Sequence, residues 1–476
     1  MTKQEFREKV QEKILILDGA TGSNLLKRGM PYGVCTELWV TEHRDVMIQL
    51  QREYIEKGSD IIYAPTFSGN RVKLKEYGLL ERMEELNREL VEISKEAAQG
   101  NALVAGDITM TGAQLEPMGD MTFDELIDIY KEQIEILVKA GVDLLVVETM
   151  MSLQETRAAV IAAGEMCELP VMATLSFKEN GKTLYGVSAK SAVAVLQGMG
   201  VDAVGINCSA GPDKMLSVIE EMKKYAIVPV IAKPNAGMPK LMPDGTTGYD
   251  MDAETFAEYM EKLVDAGADL IGGCCGTTPE FIGKIAKPVG KTVRQKEERI
   301  PVQTAEGQNP TQQTEEQTIF LASEREVYSF TSGQKLTVGG LIDFSKNQEL
   351  VEDYQEEIFD TAVDLAFEME DEEADIIRIC VSAEEKDRAA GSSGTSEINE
   401  AEAILAVAEE LSRNVNLPLM MASTSPETIE YVCRHFSGIM AIQWNHNLEE
   451  WKTKIKSIAQ SYQVPIVTID NEIIYC

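Results

Sequence analysis

No stretch of this sequence approaches the roughly twenty consecutive apolar residues that a bilayer-spanning helix needs, which sets membrane-spanning classes aside. The start, Met1-Thr2-Lys3-Gln4-Glu5-Phe6, is charged and leads directly into a strand-like segment. It lacks the apolar stretch and cleavage site of a secretory signal, so a cytoplasmic location is expected. Basic residues are in short supply: 44 lysines and arginines face 79 aspartates and glutamates, a formal charge of -35. A field of that sign repels phosphate backbones and anionic lipid, which argues against nucleic acid or a membrane surface as partner. Cysteine is sparse for 476 residues, at eight, and without a secretory context it does not describe a disulfide framework. Cys35, Cys167, Cys380, Cys433 and Cys476 are scattered and read as small buried hydrophobes. Cys208, Cys274 and Cys275 are placed differently.

What is present is an alternation. At 44% hydrophobic residues the chain can bury full cores, and its length favours two domains. Short β-rich runs at 14–17, 60–64, 102–106, 143–148, 170–175, 202–207, 228–233 and 269–273 alternate with apolar residues at helical spacing, as at 79–99, 122–140, 215–225 and 252–266. Gly-Val-Asp or Gly-Ala-Asp at 141–143, 200–202 and 267–269 puts glycine where a left-handed residue ends a helix before the next strand. Eight such units over residues 1–288 predict a (β/α)8 TIM barrel. An open doubly wound sheet is the competing α/β arrangement, but Asp-Gly-Ala-Thr-Gly-Ser (18–23) after the first strand lacks the dinucleotide-binding glycine spacing. Residues 289–318 lose all apolar period and read as a linker. From 319 to 476 a smaller α/β domain is expected, with strands near 336–342, 375–381, 417–421, 438–442 and 464–469, too few to close a second eight-stranded barrel.

Active sites of TIM barrels lie where the strands end. Here those positions carry Asp18, Thr66, Phe67, Asp107, Glu148, Asn207, Cys208, Cys274 and Cys275. The three cysteines thus fall at the ends of strands six and eight. Thiolates satisfy zinc, and three protein sulfurs leave one tetrahedral position open for a fourth. Coordination strips the proton from a substrate thiol and leaves a sulfur able to attack a methyl group. Soft ligands favour zinc over magnesium or calcium. In Gly-Gly-Cys-Cys-Gly-Thr-Thr-Pro (272–279) two adjacent cysteines reach one ion only through a sharp turn, which Gly272, Gly273 and Gly276 permit. Such a pair has little packing value, so metal is favoured over core. Asp18 and Glu148 are carboxylates at strand ends, suited to the positive end of an amino acid, with loop-capping hydrogen bonds as the plainer role. Thr66, Phe67 and Asn207 shape the pocket or simply pack.

Asp-Gly-Ala-Thr-Gly (18–22), Gly-Ile-Asn-Cys-Ser (205–209) and Gly-Gly-Cys-Cys-Gly-Thr-Thr-Pro (272–279) resemble the signatures of the homocysteine S-methyltransferase family. The likeness is greatest to the homocysteine-binding module of cobalamin-dependent methionine synthases and covers roughly residues 5 to 290. It implies that Cys208, Cys274 and Cys275 hold zinc, that homocysteine sulfur completes the site, and that Glu148 takes the substrate ammonium with Asp18 in the same pocket.

The segment from about 335 to 470 resembles the first five strands of the pterin-binding barrel that follows in those enzymes, with departures. Arg378, Cys380 and Ala422 replace polar groups expected to hold the pterin, and a buried pterin without matched partners loses affinity steeply. This domain is therefore expected to be a degenerate remnant. The expected methyl donor is methylcobalamin on a separate corrinoid protein, with S-methylmethionine or another small donor as the alternative and a non-catalytic zinc-binding scaffold as the competing class. Open strand edges in a partial barrel call for intrachain docking or a homo-oligomer.

Overall fold

The computed structural model describes residues 1–241, 247–289, 318–381, 398–444 and 449–475. The expected linker, apart from its two ends, and Cys476 lie outside these. The chain divides into two compact units, Met1–Val302 and Gln303–Cys476. No helix among the described residues is long and apolar enough to cross a membrane.

The first unit is the expected barrel. Its strands are β1 (Leu15–Ile16), β2 (Ile61–Tyr63), β3 (Leu103–Ile108), β4 (Leu144–Met150), β5 (Val171–Leu175), β6 (Ala203–Cys208), β7 (Val230–Pro234) and β8 (Leu270–Ile271). All neighbours are parallel, in the order β1-β8-β7-β6-β5-β4-β3-β2. A parallel bridge between Leu17 and Ile61, with Asp60 N–H donating to the Ile16 carbonyl at 2.7 Å, closes the ring. Alternate residues point inward. Leu15, Leu17, Ile61, Ala105, Leu144, Val146, Met172, Ala203, Ile231 and Leu270 fill the interior, and Phe6 and Val10 of the helix Lys3–Glu12 join them. A capping box between Thr2 and Glu5 starts that helix.

The glycines of the Gly-X-Asp repeats are left-handed as expected, with φ of 83° at Gly141, 82° at Gly200 and 112° at Gly267. The aspartates do something the sequence reading did not foresee. Each, and likewise Asp60 of Gly58-Ser59-Asp60, accepts a backbone N–H from the preceding strand: Asp60 from Ile16 at 3.0 Å, Asp143 from Val104 at 2.8 Å, Asp202 from Val171 at 3.0 Å and Asp269 from Val230 at 2.9 Å. These rungs tie β2 to β1, β4 to β3, β6 to β5 and β8 to β7. They satisfy N–H groups at strand starts, where the ladder has no carbonyl to offer.

The second unit opens with an antiparallel hairpin, Thr318–Ala322 with Val327–Thr331. Its sheet runs β9 (Val338–Asp343), β10 (Ile376–Cys380), β11 (Leu419–Ala422), β12 (Ala441–Gln443) and β13 (Ile466–Val467), all parallel, then β14 (Ile473–Ile474), antiparallel to β13. The five parallel strands are those expected; the hairpin and β14 are additions. Residues in and just before β14 also bond the segment ahead of β9, through Gly333 N–H to Ile473 O at 2.8 Å, Ile473 N–H to Gln334 O at 3.0 Å and Leu336 N–H to Asn471 O at 2.8 Å. The returning segment thus bonds both β13 and the chain just ahead of β9.

The rungs are testable in the first unit. Asp202→Ala removes the acceptor for the Val171 N–H and is expected to lower its stability by about 1–3 kcal/mol, the cost of a buried unpaired donor. Asp202→Asn keeps an acceptor oxygen and should lose clearly less. Urea midpoints followed by a probe in the first unit will rank the two variants.

Candidate active site

Cys208 ends β6, and Cys274 and Cys275 follow β8, so β7 between them sets their spacing. Cys208 pairs in register with Pro234, and the Pro234 carbonyl accepts the Cys274 N–H at 2.7 Å. Across the same gap Ala236 N–H donates to the Cys275 carbonyl at 2.9 Å. The three sulfurs lie within 4.8 Å of one another, each on a half-buried residue. The backbone is bent to bring them there. Cys208 and Ser209 both sit in the left-handed region, with φ of 58° and 60°, conformations that non-glycine residues adopt at a cost of order 1–3 kcal/mol and that cluster at functional sites. All three expected glycines are required, Gly273 because a Cβ there would stand 2.4 Å from Thr277 Oγ1. Gly276 has a φ of 83°, and a Cβ on Gly272 would stand 2.8 Å from the Asp18 carbonyl oxygen.

Three zinc–thiolate bonds of about 2.3 Å at tetrahedral angles would hold their sulfurs roughly 3.8 Å apart, so this cluster fits such an ion with little contraction. Asn235, flanked by the two cross-gap bonds, keeps a buried Oδ1 without a hydrogen-bond partner, as expected of a polar site rather than packed core. The thiols share hydrogen bonds among themselves. Donation from Cys208 and then Cys274 pulls the Cys275 thiol down to about 3, and Cys208 is pushed up by the same bonds. Tyr249 adds a further donor to the Cys275 sulfur, its ring lying against Gly276. This tyrosine, from a short hairpin (Pro239–Leu241 with Thr247–Tyr249) after β7, escaped sequence reading because a three-residue strand leaves no periodic signal.

Beside the sulfurs the apolar interior of the barrel gives way to charge. Asp18, Asp107, Glu148 and Lys233 are all buried. Lys233 Nζ lies 3.5 Å from Asp18 Oδ1 and 3.4 Å from Glu148 Oε2, and 4.4 Å from the centroid of the Tyr63 ring. Burial opposes its charge, but Glu148 and Asp18 outweigh that and hold its pKa well above the ordinary lysine range. Burial likewise raises Asp18 to about 6 and Glu148 to about 7 against the pull of Lys233, and raises Asp107 well above its usual range. Lys233 carried no role in the sequence reading, where it looked like the polar end of an apolar strand.

The other candidate residues divide. Asn207 is fully buried; its Oδ1 accepts the Thr149 N–H at 3.0 Å, and its Nδ2 donates to Thr149 Oγ1 at 2.7 Å and faces Cys274 Sγ at 3.9 Å. Since Thr149 is itself left-handed, at φ 62°, Asn207 fixes the strand end that carries Glu148 while touching a cysteine. Thr66 uses its hydroxyl to bond the backbone of Asp107 twice, at 2.8 Å and 3.1 Å, and so acts as a strut. Phe67 is half-buried on the loop that follows.

The raised carboxylates fix the sign of a pH effect. Each binds a proton more tightly in the folded than in the unfolded chain, so its contribution is fully present near pH 4 and is lost as pH rises through about 6 for Asp18 and about 7 for Glu148. Under chelating conditions, Glu148→Gln is expected to flatten the decline in first-unit stability between pH 5 and pH 8. Denaturation midpoints at the two pH values, compared with the parent chain, check this.

The sequence model described as homocysteine S-methyltransferase matches residues 15–289. Methionine synthase of Mycobacterium tuberculosis (strain ATCC 25618 / H37Rv) is 25% identical over 453 residues, covering 91% of this chain and 35% of that protein. Methionine synthase of Mycobacterium leprae (strain TN) is 26% identical over 458 residues, covering 91% and 36%. The chain therefore spans about a third of the length of these relatives. Among solved structures, the homocysteine methyltransferase MmuM from Escherichia coli in its oxidized form aligns with 60% of this chain and all of its own, at 23% identity and a TM-score of 0.51, which supports the barrel fold. The chain belongs to the homocysteine S-methyltransferase family.

Proposed function

We propose that this chain transfers a methyl group to the thiol of homocysteine, giving methionine, with Cys208, Cys274 and Cys275 holding zinc. The observation that carries this reading is the meeting of three sulfurs within 4.8 Å at a barrel mouth floored by buried carboxylates. Zinc, when bound there, would keep the acceptor sulfur a thiolate at neutral pH. The chain's own residues do the rest. Asn207 orients Cys274 and the end of β4, and a donor to a ligating thiolate tempers its charge. Tyr249 does the same for Cys275. The carboxylate floor attracts the ammonium of an amino-acid thiol and orients its sulfur towards the mouth. In the transfer a sulfur–carbon bond forms as the donor–methyl bond breaks, and its electron pair stays with the donor.

For the donor we favour methylcobalamin on a separate corrinoid protein. The observation behind this choice is in the second unit. Asp343, at the end of β9, is buried and engages Arg378 at 3.3 Å and Lys346 at 2.8 Å, with Ser345 Oγ donating to it at 2.6 Å. A rim whose charges already bond one another has little left for a pterin ring, which supports a remnant that has lost folate binding rather than a second donor site. The domain boundaries that go with this reading are 1–288, 289–318 and 319–476.

The test is zinc content and homocysteine titration on the intact chain and on a Cys208→Ala/Cys274→Ala variant. One zinc per chain, lost in the variant and gaining a fourth sulfur ligand on adding homocysteine, is the expected result. Zinc indifferent to homocysteine would favour a non-catalytic scaffold. Asn207→Ala is expected to weaken the metal by about 10–100-fold, the usual effect of removing such a supporting group, as read by competition with a chromophoric chelator.

A further inference from the structure

The acidity of this chain is uneven, and a dense part of it lies in the second unit, on the connection from β9 to β10. From Gln348 to Asp375 there are thirteen aspartates and glutamates and no lysine or arginine. Two of the thirteen serve the backbone, Asp353 as acceptor for the Thr361 N–H and Asp375 for the Thr337 N–H. The nearest cations along the chain, Lys346 and Arg378, engage Asp343 instead. Among the described residues no cationic side chain pairs with any of the thirteen. Solvated acidic helices usually relieve such crowding with lysines one turn away, and like charges left at that spacing repel.

The helix Asp360–Asp371 sorts its residues by face. Ala362, Ala366 and Met369 are buried, and Met369 Sδ accepts the Leu341 N–H of β9 at 3.5 Å. Asp360, Asp364, Phe367, Glu368 and Asp371 are all exposed. With 3.6 residues per turn these five fall in one arc of roughly 100° on the side away from the sheet. Phe367 lies within that stripe and is 44% exposed. Ile358, in the turn that leads into the helix, and Leu341 are 40% and 39% exposed. Among the described residues of the second unit, Ile469 is the one other large hydrophobic left so open.

The ring and the carboxylates ask for opposite treatment by water. A cationic amphipathic surface satisfies both, since lysine and arginine cover a ring with their stems and carry their charge to the acids around it. A second copy of the chain does not, because it brings the same charges to the face. Nucleic acid and anionic lipid are repelled by the same field. We propose that the exposed face of the helix Asp360–Asp371 is a docking site for a basic amphipathic helix of a partner protein, with Phe367 as apolar anchor and Asp360, Asp364, Glu368 and Asp371 as charged rim. No residue of the first unit takes part, so the site stands apart from the acceptor-thiol chemistry. It gives the second unit a use that asks for no pterin.

The experiment uses the full chain and, as probe, a fluorescent synthetic helix of leucines and lysines at helical spacing, followed by anisotropy. A second probe carries serines in place of the leucines. The unaltered chain should bind one leucine probe, and the serine probe at least about tenfold more weakly, the scale of burying part of one aromatic side chain. Phe367→Ser should weaken the leucine probe by about tenfold and leave the serine probe within about twofold. Asp364→Asn/Glu368→Gln/Asp371→Asn should weaken both by about tenfold, the sum of three modest surface ion pairs, and the loss should fade with added salt. Glu258→Gln/Glu261→Gln/Asp265→Asn removes the same charge from exposed positions of a first-unit helix and should change neither probe by more than about twofold. Matching melting curves show that each variant is folded, and amide exchange of residues 360–371 should slow when the leucine probe binds. A first-unit triple variant that weakens binding as much as the second-unit one would reduce the effect to net charge and overturn the proposal. Unchanged binding by Phe367→Ser, or unslowed exchange at 360–371, would overturn it as well. A dimer of the unaltered chain in sedimentation that Phe367→Ser dissociates would give the face to a second copy, against the proposal.

Discussion

The register of β6, β7 and β8 is the constraint on which the rest of this molecule depends. Cys208 and the Cys274–Cys275 pair come from distant parts of the sequence, and their sulfurs meet only because Pro234 is the partner of both strand ends. A slip of one residue in a parallel ladder turns every side chain to the opposite face, which would bury one cysteine and expose another. Several local features hold that register. Asp269 ties the start of β8 to Val230 of β7. Gly205 lets β6 approach so closely that a Cβ there would stand 2.1 Å from the Ile231 carbonyl oxygen. The rung and the glycine are remote from the sulfurs, but they decide where the sulfurs go.

The same register stacks a charged layer directly on an apolar one. Ile231 belongs to the barrel core, and Lys233, two residues on, faces the same way among carboxylates. Buried charges stabilise little by themselves, because desolvation consumes most of the Coulomb gain, yet removing one partner leaves the other stranded. An arrangement of three acids and one base is therefore unlike an ordinary buried ion pair. It is incomplete without further positive charge, which protons supply at the raised carboxylates and which, on the proposed reading, a ligand cation would replace. On the proposed reading, that imbalance makes the cap of a hydrophobic core suited to the cationic end of a ligand next to the sulfurs.

Much of this was legible in the sequence. The eight strands and the left-handed glycines follow from periodicity and from the steric freedom of glycine, and the cysteines stood out because a Cys-Cys pair among glycines has no packing rationale. The features that were not legible share a physical cause: they depend on partners far along the chain. A lysine at the end of an apolar strand looks solvated until the carboxylates of β4 and the β1 loop are placed around it. The aspartates of the Gly-X-Asp repeats look like turn residues until the neighbouring strand presents an N–H. Tyr249 and β14 lie on elements of two or three residues, too short for any alternation to register. Asn207 was rated an accessory to the pocket, and only the left-handed backbone at Thr149 and Cys208 explains why an amide with two donors and an acceptor stands between them.

In the second unit, read as the remnant proposed above, the folding devices of a barrel persist. Five parallel strands would leave two unpaired edges, and unpaired edges invite association. Here β14 pairs with β13 and also bonds the residues just ahead of β9. The strand-start device of the first unit is also retained, since Asp375 accepts the Thr337 N–H at 2.7 Å and so ties β10 to the entry of β9. At the opposite end of the same strands, by contrast, Asp343 and Arg378 engage each other across β9 and β10. Backbone hydrogen bonds at strand starts serve the fold whatever the protein does, whereas side chains at strand ends are free to serve a ligand. A sheet that keeps the first and turns the second inward on itself has the form of a structural element, which supports the proposed reading that the chemistry lies with the sulfurs and carboxylates of the first unit.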